Sequence, residues 1–208
     1  MTSEDSPIVL IVDDDTRMCA ATQRLLKTVG LHSQSFATPE DFLRYKLPNG
    51  PSCLVLDVRL PGMSGLEVQS KLIEMGVHIP IIFITSHADV PMTVKALKSG
   101  AVEFLTKPFR DQDLIDAVQQ ALKLDGQTKQ QHHEIAELEE RYARLTTRER
   151  EVMRLIVSGM LTKQIAATLG TTEITITVHR GQVMRKMQAN SPAELGRLAE
   201  KLKLPKIE

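Results

Sequence analysis

Over the first half of the chain, apolar residues come in short unbroken runs that each stop at a reactive polar side chain. Residues 8–12 (IVLIV) run into Asp13, Asp14 and Asp15; CLVL at 53–56 meets Asp57; IPIIFI at 79–84 stops at Thr85; AVEFLT at 101–106 leads to Lys107 and Pro108. Runs of this length without polar alternation predict strands covered on both faces, as in a parallel sheet. Between them, residues 22–29 and 66–75 place apolar side chains at helical spacing, with Gly30 and Gly76 positioned to stop each helix. A weaker stretch, HSQSF at 32–36, predicts an edge strand. Strand and helix in alternation predict an α/β domain, a doubly wound five-stranded parallel sheet with helices on both faces.

After residue 110 the period changes. Residues 111–122 predict an amphipathic helix with Leu114, Val118, Ala121 and Leu122 on one stripe. The Gln- and Glu-rich segment that follows carries Ile135, Leu138, Tyr142 and Leu145 at coiled-coil spacing. So short a seam favours a helix that docks on a neighbour over a free-standing coiled coil. From Leu145 onward, punctuation predicts four short helices. Thr146 with Glu149 forms a capping box and Gly159 a stop; Thr162 opens and Gly170 closes the next; Thr172 caps a third; Ser191, Pro192 and Glu194 open a fourth. The third contains EITITV, which by propensity alone would be a strand. Yet Ile176, Arg180, Val183 and Met187 fall on one helical stripe, and Thr177, Val178, Gly181 and Arg185 fall on the opposite arc. The prediction is an all-α helix-turn-helix domain.

Charge sharpens the division. The 208 residues carry no net charge, but 1–122 hold 11 basic against 15 acidic residues and 123–208 hold 15 against 11. From Arg144 onward the balance is 12 basic to 6 acidic. An acidic front and a basic rear predict two domains, the rear one meeting nucleic acid. No stretch approaches the roughly 20 apolar residues of a membrane span. The start, MTSEDSP, lacks the basic and apolar regions of a secretory signal, so a soluble cytoplasmic protein without a membrane partner is expected. Cys19 and Cys53 lack metal-ligand spacing and are expected as buried free thiols, and the adjacent His132 and His133 point to different helix faces.

In a parallel sheet all C-terminal strand ends meet on one rim, where ligands bind. Asp13, Asp14, Asp57, Thr85 and Lys107 are therefore expected to converge. Carboxylates without His or Cys suit a hard cation, Mg2+ rather than zinc, and Lys107 adds a fixed positive charge. Such a set fits a phosphoryl group carried on an Asp.

These residues resemble those of a response-regulator receiver domain, over most of residues 6–124. The resemblance implies that Asp57 takes phosphate from the phosphohistidine of a sensor histidine kinase. It implies that Asp13, Asp14, Asp57 and the backbone carbonyl of Arg59 hold Mg2+ (or Mn2+), with Asp15 capping the following helix. The Lys107–Pro108 bond is then expected to be cis. It further implies that Thr85 swings to the phosphoryl group with Phe104 turning inward behind it, while Ser86, small like its usual counterparts, leaves the phosphate accessible. His87 and Arg59 would flank the acyl phosphate.

The rear segment resembles the LuxR/FixJ-type DNA-binding domain over 144–205, through LTTREREV, KQIA and TVHRGQVMRKM. That implies a positioning helix over 160–170 and a recognition helix over 173–188 in the major groove of double-stranded promoter DNA. Thr177, Val178 and Gly181 would lie nearest base edges, Arg180, Arg185 and Lys186 nearer phosphates, and Thr162 and Lys163 on the positioning helix; His179 is expected to be a packed, structural histidine. Many relatives have Asn at position 162 and Lys at 177, so specificity is expected to differ.

Together the halves resemble a FixJ/NarL-type two-component response regulator, similar to regulators of styrene and toluene catabolism. The resemblance implies phosphorylation on Asp57, homodimerisation, promoter binding and, with RNA polymerase, activation of transcription. The expected division is a receiver at 1–122, a helical linker at 123–143 and a DNA-binding domain at 144–208. No enzymatic activity is expected beyond the receiver's own phosphotransfer and dephosphorylation. An Asp-centred phosphohydrolase would need a second catalytic acid that DVRLPG after Asp57 does not offer. A constitutive DNA-binding protein with a passive, dimerising front domain would keep the fold without using the five-residue set.

Overall fold

The computed structural model describes residues 6–87 and 89–204. The chain forms two compact units, one reaching Gln130 and the other starting at Gln131.

In the first unit, β1 (Ile8–Val12), β2 (His32–Phe36), β3 (Ser52–Asp57), β4 (Ile81–Thr85) and β5 (Glu103–Thr106) form a parallel sheet in the order β2-β1-β3-β4-β5. Period-two alternation sends side chains to two cores. Val9, Ile11, Cys53, Val55, Ile82 and Ile84 pack with α1 (Thr16–Thr28) and the start of α5 (Asp111–Ala143). Leu10, Val12, Leu54, Leu56, Ile81 and Phe83 pack with α2 (Pro39–Arg44), α3 (Gly65–Glu74) and α4 (Val90–Lys98). Burial on both faces explains why the three central strands read as continuous apolar runs. HSQSF takes the edge position, where its polar side chains stay half-exposed.

Local chemistry starts and stops these helices as the sequence indicates. Asp15 accepts from the amides of Arg17 and Met18 at the start of α1, and Ser64 with Glu67 forms a capping box on α3. Gly30 and Gly76 take φ of 75° and 67°, a left-handed conformation that ends a helix at little cost to glycine. Both cysteines are buried and free, and burial pushes the Cys53 thiol up to about 12.

The second unit consists of the last turns of α5 with α6 (Thr147–Val157), α7 (Thr162–Thr168), α8 (Glu173–Met187) and α9 (Pro192–Lys201). Its core joins Leu138, Leu145, Val152, Met153, Ile156, Ile165, Ile176, Val183, Met187 and Leu195. EITITV is helical because Thr172 caps it and Ile176, Val183 and Met187 bury one stripe; that burial outweighs its β-branched propensity. The coiled-coil-like seam docks on this core: Leu138 and Leu145 are buried, Tyr142 partly so, and Ile135 remains 37% exposed.

The segment read as a linker is helical throughout, and it is shared between the two units. Asp125 accepts from the Ser52 amide at 2.7 Å and pairs with Lys129 at 2.8 Å. Lys129 also donates to the carbonyls of Pro48 and Gly50, which ties this stretch to the start of β3.

Candidate functional site

Asp13, Asp14, Asp57 and Lys107 come together as expected, and Thr85 stands at the end of the strand next to that of Asp57. Asp13 follows β1, Asp57 ends β3, Thr85 ends β4 and Lys107 follows β5. The Lys107 ammonium donates to Asp13 Oδ2 at 2.8 Å and to Asp57 Oδ2 at 2.6 Å, so one cation bridges two carboxylates drawn from different strands. Their second oxygens are held by backbone: Asp13 Oδ1 accepts from the Asp15 amide and Asp57 Oδ1 from the Arg59 amide, each at 2.9 Å. Both carboxylates are therefore oriented before any ligand arrives.

Carboxylate oxygens of Asp13, Asp14 and Asp57 lie within 4.8 Å of one another. Asp14 is exposed, so the group opens to solvent, and its donors are hard oxygens without nitrogen or sulfur. That donor chemistry fits Mg2+ or Mn2+. Burial raises the Asp13 carboxyl above its ordinary value, opposed by the hydrogen bond and charge of Lys107 and assisted by the charge of Asp57. For Lys107, burial alone would lower the ammonium, but the bonds and charges of the two Asp residues outweigh it and raise it.

Thr85 is fully buried, and its hydroxyl exchanges hydrogen bonds with the backbone of His87, each at 3.3 Å, rather than with Asp57. Ser86 and His87 are exposed. Phe104 is half-buried, its ring 6.0 Å from that of Phe83. The Lys107–Pro108 bond is cis.

Two contributors escaped the sequence reading. A Cβ on Gly65 would overlap the Asp57 carbonyl oxygen and come within 3.1 Å of Val58 Cα, so only glycine lets the loop after Asp57 fold back this closely. The signal was present in SG at 64–65, a glycine directly after a capping Ser. Cys19 donates its thiol to the Asp13 carbonyl at 3.4 Å and so helps fix the backbone that carries Asp13.

In the second unit, Thr177, Val178, Gly181 and Arg185 form an exposed arc of α8, and Arg180 and His179 are half-buried. Thr162 begins α7 and Lys163 beside it is exposed. Lys186 departs from expectation. Its ammonium is bound to Glu149 of α6 at 2.6 Å and to the Arg144 carbonyl at 3.3 Å, because the capping-box carboxylate is buried and needs a cation. It serves the packing of α8 on α6 instead of facing outward.

An Asp pair bridged by a strand-end Lys in one unit, together with a capped helix-turn-helix in the other, is a combination that comparison with known proteins recognises. Residues 9–119, more than half of the chain, match the response regulator receiver domain. The chain belongs to the response regulators. Residues 143–199 of this response regulator match the bacterial regulatory proteins of the luxR family, which makes it a transcription regulator with a LuxR-type DNA-binding domain. It is 48% identical to nodulation protein W of Bradyrhizobium diazoefficiens, over 94% of this chain and 86% of that protein. It is 44% identical to response regulator protein TmoT of Ectopseudomonas mendocina, over 97% of this chain and 91% of that one. The solved structure of response regulator StyR shares 43% identity and a TM-score of 0.88, covering 94% of this chain and 99% of that one. Among the described residues, no helix is long and apolar enough to cross a membrane.

Proposed function

We propose that Asp57 is the phosphoacceptor through which a sensor histidine kinase controls promoter binding by this response regulator in the cytoplasm. The observation that carries the reading is the Lys107 bridge between Asp13 and Asp57 at 2.8 and 2.6 Å. In the transfer, a carboxylate oxygen of Asp57 attacks phosphorus, the bond from phosphorus to the kinase imidazole breaks, and an acyl phosphate forms. Lys107 sits where negative charge accumulates on the transferring oxygens. Asp13, Asp14 and Asp57, with the Arg59 carbonyl, would hold Mg2+ or Mn2+, which supplies further charge neutralisation when bound.

Thr85 is poised for a switch because, among the described residues, its hydroxyl is held by the His87 backbone alone, through bonds that an acyl phosphate beside Ser86 can outcompete. Phe104 would follow into the space behind it. The phosphoacceptor function then lies within 1–122 and DNA contact within 144–208, with the helical stretch 123–143 between them. Thr177, Val178 and Gly181 would face bases, and Arg180, Arg185, Lys163 and Thr162 would lie toward the phosphate backbone. Phosphorylation would favour a homodimer on two half-sites and recruitment of RNA polymerase. For the target we take an operon of aromatic-hydrocarbon catabolism, on the resemblance to regulators of that class.

The test compares wild type with Asp57→Ala, each with Mg2+ and acetyl phosphate, by sedimentation and by binding to a promoter fragment from such an operon. Dimerisation and tighter binding by the wild type alone support the reading. Equal binding by both proteins, with or without donor, removes Asp57 as the switch.

A further inference from the structure

The outward face of α8 is apolar where a surface helix is usually polar. Ile174 is 79% exposed and Val178 57%, and four residues apart they stand side by side on the helix. Thr177 adjoins them, and its hydroxyl donates to the Glu173 carbonyl at 2.8 Å, which leaves its methyl as the uncommitted branch. One turn further on, Gly181 is open: a Cβ there would meet nothing within 4 Å, so a partner can approach the backbone. The first two turns of this face present no Arg, Asn or Gln able to make a two-pronged bond to a base edge.

The rim is different in character. Arg185 is exposed in the last turn of α8, Arg180 is half-buried beside the face and Lys163 is exposed on α7, while Glu173 is the single acid of α8. A cationic border around an aliphatic centre complements a polyanion that projects methyl groups. Duplex DNA has that form where thymine C5 methyls line the major groove.

We infer that α8 selects its site mainly by thymine methyl groups, packed against Ile174, Val178 and the Thr177 methyl. The inference rests on the reading of α8 as the DNA-contacting helix and adds the chemistry by which it discriminates. Ile174, outside the residues that the sequence singled out, becomes a specificity-determining side chain. Hydrogen bonding to bases is secondary, and Arg185 and Lys163 contribute affinity without sequence preference.

The experiment uses the full chain with Mg2+ and acetyl phosphate to select from duplexes with a randomised centre. The selected duplex is then synthesised with thymine or with deoxyuridine, which lacks only the methyl, and titrated with wild type, Ile174→Ala, Val178→Ala and the variant combining both substitutions. Selection is expected to enrich thymine. Each contacted thymine replaced by deoxyuridine is expected to weaken wild-type binding about fourfold, the value of one buried methyl-sized group. The combined alanine variant is expected to bind both duplexes alike, with its weaker, salt-sensitive affinity intact. If wild type binds the uracil-containing duplex as tightly as the thymine duplex, the inference is overturned while DNA binding through α8 stands. If no duplex is enriched or bound, the DNA-contact reading itself fails. If the alanine variants alter oligomeric state but not discrimination between the duplexes, the face meets a second copy of the chain and the inference is overturned.

Discussion

Lys107 holds together two carboxylates that would otherwise repel each other, and Gly65 makes room for the backbone of one of them. The first role is electrostatic. Lys107→Ala is expected to slow Asp57 phosphorylation by acetyl phosphate on the order of a hundredfold, as loss of one preorganised positive group does. Mass spectrometry over time checks it, and an unchanged rate would remove the lysine from the transfer step. The second role is steric. Gly65→Ala drives a Cβ into the Asp57 carbonyl, where backbone cannot move aside as a flexible side chain would. The expected loss is about 1–3 kcal/mol in urea unfolding of the chain, with slower phosphorylation from a displaced Asp57. Lys107 was legible in the sequence because it ends an apolar run before a proline. For Gly65 the sequence marked only a glycine after a capping Ser, because the close approach between loop and strand that requires it appears only once the chain is folded.

At the scale of elements, capping residues act over longer distances than their spacing reveals. Glu149 closes the capping box of α6 and also receives Lys186 from α8, both on Oε2, at 2.7 and 2.6 Å. Burial alone would raise its carboxyl, but the hydrogen bonds from Lys186 and Thr146 outweigh that and hold it below the ordinary Glu value. A carboxyl lowered by folding contributes stability above its unfolded value and loses it as pH falls through the folded one. The second unit is therefore expected to weaken as pH drops below about 4.5, the ordinary Glu value, and Glu149→Gln should flatten that dependence. Lys186→Met is expected to cost about 1–3 kcal/mol near neutral pH, measured by thermal unfolding, because it leaves a buried carboxylate short of a partner. The capping box was readable from TTRE at 146–149. Its tie to Lys186, 37 residues away, was not, and the lysine looked like one more outward charge.

For the whole molecule, a chain of zero net charge still has a basic DNA-binding half, with 12 basic and 6 acidic residues from Arg144 onward. Promoter affinity is therefore expected to fall steeply with salt, as counterions displaced from DNA are released in proportion to the phosphates neutralised. Arg185→Ala should weaken binding to all duplexes alike and reduce the slope of log affinity against log salt by about one. A titration at several salt concentrations gives both quantities. A change in sequence preference instead would place Arg185 at a base edge.

Apolar runs and their polar stops by themselves determine much of this protein. Strand count, parallel topology and the meeting of Asp13, Asp57, Thr85 and Lys107 on one rim follow from period, capping and chain direction, which act over a few residues at a time. Tertiary structure alone decided the rest. It turned Lys186 toward Glu149 and divided the expected linker between two units, through Asp125 and Lys129 in one and Leu138 in the other. It also left Ile174 and Val178 uncovered. Each of these outcomes depends on which distant surface a side chain meets, and that contact is energetic information no local pattern contains.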